Sequence, residues 1–169
     1  FSASRFWQEV QDTGATSFVY IGELCRYLLN QPESPADRAH GLRVAVGNGL
    51  RPDIWEAFQQ RFDVPVIREF YGSTEGNAPA LNMQGKPGMI GKLSRGQAVL
   101  RCDPSSGALQ RNAQDQCIAV APGETGLLVG RISGLSRFDG YLDDKASASK
   151  VLHGIFRKGD RYFDTGDLV

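Results

Sequence analysis

Short helical and strand-like patterns of apolar and polar residues alternate through the first half of the chain. Ser4 stands where it can cap a helix running through about Asp12. Ser17 to Tyr20 is a brief strand-like run, and Glu23 to Leu29 reads as a helix that Asn30 and Pro32 stop. The order then repeats. Leu42 to Val46 has the apolar, β-branched character of a buried strand, and Gly47-Asn48-Gly49 is a turn. Pro52 falls in the first turn of a helix whose apolar stripe is Ile54, Trp55, Phe58 and Phe62, and Val64 to Phe70 forms a further strand. Strand, helix, strand in this succession predicts parallel strands joined by crossover helices, the sheet of doubly wound α/β folds.

Beyond about Met83 glycines and turn residues become dense, and the apolar runs shorten to the length of single strands. Asp103 to Gly107 is a turn. Pro122-Gly123 suits the centre of a type II turn leading into a strand from Thr125 to Ile132. Lys145 to Leu152 is expected as a short helix, and Arg161 to Phe163 as a last strand ending in a glycine turn. No internal repeat or low-complexity tract is visible. The pattern therefore predicts an α/β chain with a parallel-sheet part over residues 1–83 and a β-rich, barrel-like part over residues 84–169, the boundary falling near residues 83–88.

Composition narrows the function classes. At 169 residues and 41% hydrophobic, the chain can bury a core of its own. Nineteen basic residues balance nineteen acidic ones, so no net field points to nucleic acid or to an anionic membrane surface. The three cysteines Cys25, Cys102 and Cys117 are far apart with no CxxC pair, which argues against a zinc site or disulfide framework and for a reducing compartment. No apolar run reaches the roughly 18 residues of a membrane span. The chain opens on Phe1 rather than Met and closes on Thr-Gly-Asp-Leu-Val, which leads us to expect that both ends belong to a longer protein.

Ligands of open α/β sheets bind beyond the carboxyl ends of the strands. Gly47-Asn48-Gly49 and Tyr71-Gly72-Ser73-Thr74-Glu75-Gly76 both fall there. Their glycines let a ligand approach the backbone, and Ser73 and Thr74 offer hydroxyls to phosphate oxygens. Glu75 offers a hard carboxylate suited to magnesium, and Tyr71 an aromatic face. The same residues are also accounted for as ordinary strand-to-loop turns, with Thr74 as a helix cap.

Tyr-Gly-Ser-Thr-Glu-Gly at 71–76 and Tyr-Phe-Asp-Thr-Gly-Asp at 162–167 resemble, in order and separation, two signature motifs of the adenylate-forming superfamily of acyl-CoA synthetases, adenylation domains and luciferases. Pro-Gly-Glu-Thr-Gly-Leu-Leu-Val at 122–129 and Gly-Tyr-Leu-Asp-Asp at 140–144 resemble the hairpin and turn between them. A narrower likeness lies in Phe-Ser-Ala-Ser-Arg-Phe-Trp at 1–7, Tyr-Ile-Gly-Glu-Leu-Cys-Arg-Tyr-Leu-Leu at 20–29 and Gly-Asn-Gly-Leu-Arg at 47–51. These are similar to the fatty acid transport protein and very-long-chain acyl-CoA synthetase branch of the AMP-forming enzymes.

The resemblance implies a fragment of the large amino-terminal domain of such an enzyme. It further implies an ATP-dependent fatty acid–CoA ligation with magnesium, in which an acyl-adenylate is displaced by coenzyme A. Asp167 would hold the ribose hydroxyls, Thr74 would donate to the α-phosphate and Glu75 would hold magnesium. Tyr71 would lie against the adenine, with Gly72 and Ser73 beside it. Gly47, Asn48 and Gly49 would form the other wall of the adenine slot. Tyr20, Ile21 and Gly22 would stand near the acyl chain, a reading that competes with plain core packing. No nucleophilic side chain is required, and His40 and His153, each isolated, are expected to serve packing or surface roles. A phosphate-binding loop and a lysine-bearing domain are expected outside residues 1–169, so these residues alone should not turn over. The setting implied is cytoplasmic or peripheral to the cytoplasmic face of a membrane, with any membrane contact made through segments outside these residues. Two rivals stand beside this reading. One is another adenylating enzyme, acting on short-chain, aryl or amino acids; the other is a non-catalytic nucleotide or fatty acid binding module, against which Thr74, Glu75 and Asp167 together count. A transport role, in which uptake is driven by trapping the fatty acid as its thioester, is a further reading beside ligation.

Overall fold

The computed structural model describes residues 1–72, 78–134 and 136–169. They fall into two units, one formed by Phe1–Tyr71 with Leu81–Lys92, the other by Gly72–Ala80 with Leu93–Val169.

In the first unit, α1 (Phe6–Thr13) starts one residue later than expected. A turn in which the Arg5 amide donates to the Ser2 carbonyl occupies residues 2–5. Arg5 rather than Ser4 takes the cap position, with no side-chain cap bond, and the Ser4 hydroxyl lies 3.1 Å from that of Ser2. Gly14 ends the helix at φ +61°, the left-handed conformation that glycine adopts without a Cβ penalty. The strand β1 (Ser17–Ile21) runs straight into α2 (Gly22–Leu29). β2 (Val44–Asn48), α3 (Pro52–Arg61) and β3 (Ile67–Tyr71) follow. Leu42 and Val64 precede their ladders because they are spent as buried core residues in the connections. β1, β2 and β3 are parallel neighbours, and the short β4 (Ala80–Asn82) completes a four-stranded sheet in the order β1-β2-β3-β4.

Because both crossovers step in the same direction, right-handed connections put α2 and α3 on one face of the sheet. The two-sided cover of a doubly wound sheet is not seen among the described residues. Tyr20, Ala45 and Ile67 point inward and pack with Trp7, Val10, Cys25, Leu28, Trp55, Phe58 and Phe62. On the opposite face Val19 and Ile21 are 74% and 71% exposed, with Phe70 and Leu81 also outside. The Trp7 ring stacks between Phe62 and His40, at 4.4 and 4.9 Å between centroids, so His40 is a packing residue. Arg61 ties this unit together at the end of α3. Its guanidinium donates to the Asp37 carboxylate at 2.8 Å and to the carbonyls of Leu29 and Pro32 at 2.8 and 3.0 Å, both ions being largely buried.

The second unit is an antiparallel sheet of β5 (Gln97–Leu100), β6 (Leu127–Arg131), β7 (Val151–His153) and β8 (Arg161–Leu168) in the order β5-β6-β8-β7. It is open, with β5 and β7 at its edges, so the expected barrel-like closure is corrected to an open sheet among the described residues. The expected helix over 145–152 is also corrected. α4 spans Asp144–Ser149, its amides at Lys145 and Ala146 capped by the Asp143 carboxylate, and Val151 and Leu152 instead pair with Phe163 and Tyr162 across β8. Long-range pairing of apolar side chains overrides a weak helical preference there. The last strand runs well past Phe163, to Leu168. Before β6, Gly123 at φ +88° and a Glu124 amide donating to the Ala121 carbonyl at 3.0 Å make the predicted type II turn. Leu100, Cys102, Cys117, Leu127, Val129, Ile155 and Tyr162 form the core. All three cysteines are buried thiols.

Two outcomes follow for stability. Arg61→Ala leaves the Asp37 carboxylate buried without its cation, and should lower the unfolding free energy by about 3–5 kcal/mol in a urea titration. In the turn at 103–107 the Ser105 hydroxyl, then the Ser106 amide and hydroxyl and the Ser105 amide, hold the Asp103 carboxyl down at about 2. The folded value lies below the ordinary aspartate value. The stabilisation is therefore present above the ordinary value and lost as pH falls through about 2. A carbon-detected NMR titration should place the Asp103 midpoint at about 2, and Ser105→Ala should raise it.

Candidate functional site at the carboxyl edge of the parallel sheet

The three parallel strands end on Ile21, Asn48 and Tyr71 at one edge of their sheet. Tyr20 stands opposite Gly47, Ile21 opposite Asn48, and Gly47 opposite Glu69. The register thus gathers Tyr20, Ile21, Gly22, Gly47, Asn48, Gly49 and Tyr71 along one edge of the first unit. Strand alternation divides them by face. Tyr20 and Gly47 lie on the helix side, and Tyr71 shares that side with Ile67 and Glu69, whereas Ile21 and Asn48 lie on the other. Tyr20 and Ile21 therefore cannot present side chains to one pocket: Tyr20 is 2% exposed within the core, and Ile21 faces out. Gly72 follows Tyr71 in the chain, and Ser73, Thr74 and Glu75 lie outside the described residues.

The glycines of the edge are required by close approach. A Cβ on Gly22 would meet the Gly49 carbonyl oxygen at 1.7 Å, and one on Gly47 would meet the Tyr20 carbonyl oxygen at 2.2 Å. Gly49 has φ +77°, where a side chain is strained whatever the space. The first residue of α2 and the loop after β2 thus touch backbone to backbone. Gly47 and Asn48 are still strand, and the turn itself begins at Gly49.

A residue that the sequence pattern did not single out sits beneath this edge. The Glu69 carboxylate, on the inward side of β3, is 7% exposed. Its Oε1 accepts from the Leu50 amide at 2.7 Å and from the Tyr20 hydroxyl at 3.1 Å. Burial, and then the negative Glu69, push the Tyr20 phenol far above its ordinary range. Burial foremost, with Glu69 second, pushes the Cys25 thiol up to about 12, so Cys25 is a protonated core thiol. The signal for Glu69 was present: a charged residue two places from Ile67 in a strand must share its buried face.

In the second unit β8 carries Asp167. Val129 pairs with Asp164 and Leu127 with Leu168, so β8 spends three residues, Thr165, Gly166 and Asp167, where β6 spends one, Leu128. This bulge lifts Asp167 to the exposed surface. It is held from within: the Thr165 hydroxyl donates to the Leu128 carbonyl at 2.8 Å and accepts from the Asp167 amide at 3.1 Å. The Asp164 carboxylate accepts from the Gly166 amide at 2.8 Å. Gly166 has φ +78°. Just before, the Asp160 carboxylate gathers the amides of Ile155, Phe156 and Arg157 at 2.7, 3.0 and 3.0 Å and shapes the turn into β8. Asp167 belongs to a different unit from the edge residues. Among the described residues no group of three or more His, Cys, Asp or Glu is arranged to hold a metal ion, and no helix is long and apolar enough to cross a membrane.

The chain is similar to known proteins over its whole length. A family model described as AMP-binding enzyme matches residues 1–142. A medium/long-chain-fatty-acid–CoA ligase of Mycobacterium tuberculosis is 48% identical over 169 residues, and long-chain fatty acid transport protein 1 of Mus musculus is 47% identical over 178. Both alignments take in 100% of this chain, which spans 28% of the length of each relative. Among solved structures, a benzoate CoA ligase from Burkholderia xenovorans superposes with a TM-score of 0.67 at 19% identity, over 99% of this chain and 31% of that one. The Vibrio cholerae adenylation domain AlmE, in complex with glycyl-adenosine-5'-phosphate, superposes with a TM-score of 0.63 at 21% identity, over 96% and 30%. These likenesses show the fold alone.

The glycine contacts carry their own test. Gly22→Ala drives a methyl into a backbone carbonyl and should cost about 1–3 kcal/mol of stability, while Gly49→Ala should cost about 1–2 kcal/mol through its left-handed φ. Both are read by chemical denaturation.

Proposed function

The chain belongs to the AMP-binding enzyme family, and from that premise we propose that it is part of an ATP-dependent fatty acid–CoA ligase acting on long- or very-long-chain acids. The observation that carries the reading is the shared carboxyl edge of β1, β2 and β3, where residues suited to an adenine and to an acyl group lie together and the start of α2 touches the loop after β2. The names of the relatives, a fatty acid–CoA ligase and a fatty acid transport protein, support the acyl part of it.

In this reading residues 1–83 supply the adenine and acyl side, and residues 84–169 the ribose side. Tyr71, with Gly72 and Ser73 next to it, forms one wall of an adenine slot, and Gly47, Asn48 and Gly49 form the other. The glycine backbone permits flat contact, and the Asn48 amide can both donate to and accept from a purine edge. Asp167 accepts hydrogen bonds from the ribose hydroxyls, for which an exposed carboxylate lifted on a rigid bulge is chemically apt. Thr74 donates to the α-phosphate. Glu75 supplies a hard oxygen for magnesium, whose charge would offset that of the phosphates. Ile21 and Gly22 stand toward the acyl chain, and Tyr20 serves the core behind them.

The reaction has two halves. A fatty acid carboxylate attacks the α-phosphorus of ATP, giving acyl-adenylate and pyrophosphate; the coenzyme A thiol then attacks the acyl carbon and AMP leaves. Positioning and charge stabilisation carry both, so a buried, protonated Cys25 and a stacked His40 are no obstacle. ATP, magnesium and coenzyme A are the required small molecules, and nucleic acid is not a partner. The setting is the cytoplasm or the cytoplasmic face of a membrane.

The test is pyrophosphate exchange by the complete protein with acids of different chain length. Exchange that depends on long-chain fatty acid is expected; a preference for short or aromatic acids would overturn the fatty acid assignment. Glu75→Gln should lower kcat by about 100-fold or more. Asp167→Ala should raise the KM for ATP roughly tenfold or more, the cost of losing hydrogen bonds to a charged acceptor.

A further inference from the structure

We propose that Glu69 is the positioning residue of the adenine side, setting the Gly47–Gly49 wall through the Leu50 amide and the Tyr20 hydroxyl. The role rests on the reading that Gly47, Asn48 and Gly49 face the adenine.

Position 69 faces the core, one place along from Ile67 on the same side of β3, and an aliphatic residue there would pack without any desolvation penalty. A carboxylate is costly at that place unless it is well bonded, and this one is. Its single oxygen Oε1 receives Leu50 from the loop after β2 at 2.7 Å and Tyr20 from β1 at 3.1 Å, while Glu69 itself belongs to β3. One atom thus ties together the three elements whose carboxyl ends form the edge.

The loop has particular need of such a tie. Gly49 at φ +77° is in a region that glycine enters and leaves freely, and Leu50 is the next residue, two before α3 begins at Pro52. Without an acceptor for the Leu50 amide, a bond that holds the chain just after Gly49 is lost. A buried donor is also left unpaired. Glu69 reaches the opposite wall through its own strand, since Tyr71 is two residues further on the same side. The Glu69 side chain thus links the loop after Gly49 to the strand that carries Tyr71.

This predicts a graded series in the complete protein, measured by ATP binding in calorimetry and by the KM for ATP and for fatty acid in pyrophosphate exchange. Glu69→Gln keeps an acceptor oxygen at the same reach and should stay within about threefold of wild type in both. Glu69→Asp withdraws the acceptor by one methylene, and Glu69→Ala removes it. Both should weaken ATP binding and raise its KM, by about tenfold or more for alanine, with the KM for fatty acid unchanged. A merely structural role would lower Tm and the active fraction in the same order without moving the KM for ATP. The proposal is overturned if the aspartate variant binds ATP as wild type does, and this variant decides the matter even where alanine fails to fold. Wild-type protein that shows no fatty acid-dependent exchange would instead overturn the functional reading beneath it.

Discussion

The contact between the Gly22 and Gly49 backbones is the constraint on which the first unit is arranged. A Cβ at position 22 would stand 1.7 Å from the Gly49 carbonyl oxygen, so glycine there is what lets the loop after β2 close over the junction of β1 and α2. Parallel strands in register do the rest, bringing Ile21 beside Asn48 and Gly47 beside Glu69. The helices are then forced to one side by the handedness of their crossovers. The aromatic stack of Trp7, Phe62 and His40 and the Arg61 ion pair fill and pin that side. The first residue of α2 and the loop after β2 are consequently held in backbone contact at this edge.

The second unit solves a similar problem by different means. In an antiparallel sheet neighbouring strands end at opposite edges, and here the exposed acid comes from an interruption in one strand. Between two well-paired positions β8 carries two residues more than β6, and the excess leaves the ladder as Thr165-Gly166-Asp167. The Thr165 hydroxyl bonds both to the neighbouring strand and to the Asp167 amide, which turns a looped-out segment into a fixed one. Asp164 and Asp160 spend their carboxylates on backbone amides of the same region, so three acids within eight residues have quite different work.

Much of this was legible in the sequence where the signal is local and periodic. The stripe from Ile54 to Phe62, the proline at the head of α3, the type II turn at Pro122-Gly123 and the parallel order of the first strands are all written in short windows. The two signature stretches, at 71–76 and 162–167, pointed to the family that the comparisons bear out. What escaped was decided at long range. Val151 and Leu152 look helical beside Lys145 and become strand because Tyr162 and Phe163 wait opposite them. The open antiparallel sheet cannot be told from a closed one by strand count. Ser4 lost its cap to a preceding turn one residue away from where pattern alone would start the helix. Tyr20 and Ile21, adjacent and both apolar, lie on opposite faces, so a list by neighbourhood in sequence joins residues that a strand separates.

Glu69 shows the deeper reason why site residues are harder to read than folds. Its partners are 19 and 49 residues away, at Leu50 and Tyr20, so no window around it contains its function. Locally it is an anomaly, a charge on the buried side of a strand, and an anomaly says only that something must be bonded there. Which donor answers it depends on how Gly49 turns, and that in turn depends on Gly22 leaving room. The chemistry of the edge is thus a property of two glycine-permitted approaches, one left-handed glycine turn and one carboxylate taken together. A pattern that scores residues singly finds the glycines as turns and the glutamate as an error, whereas their contact makes each the condition for the others.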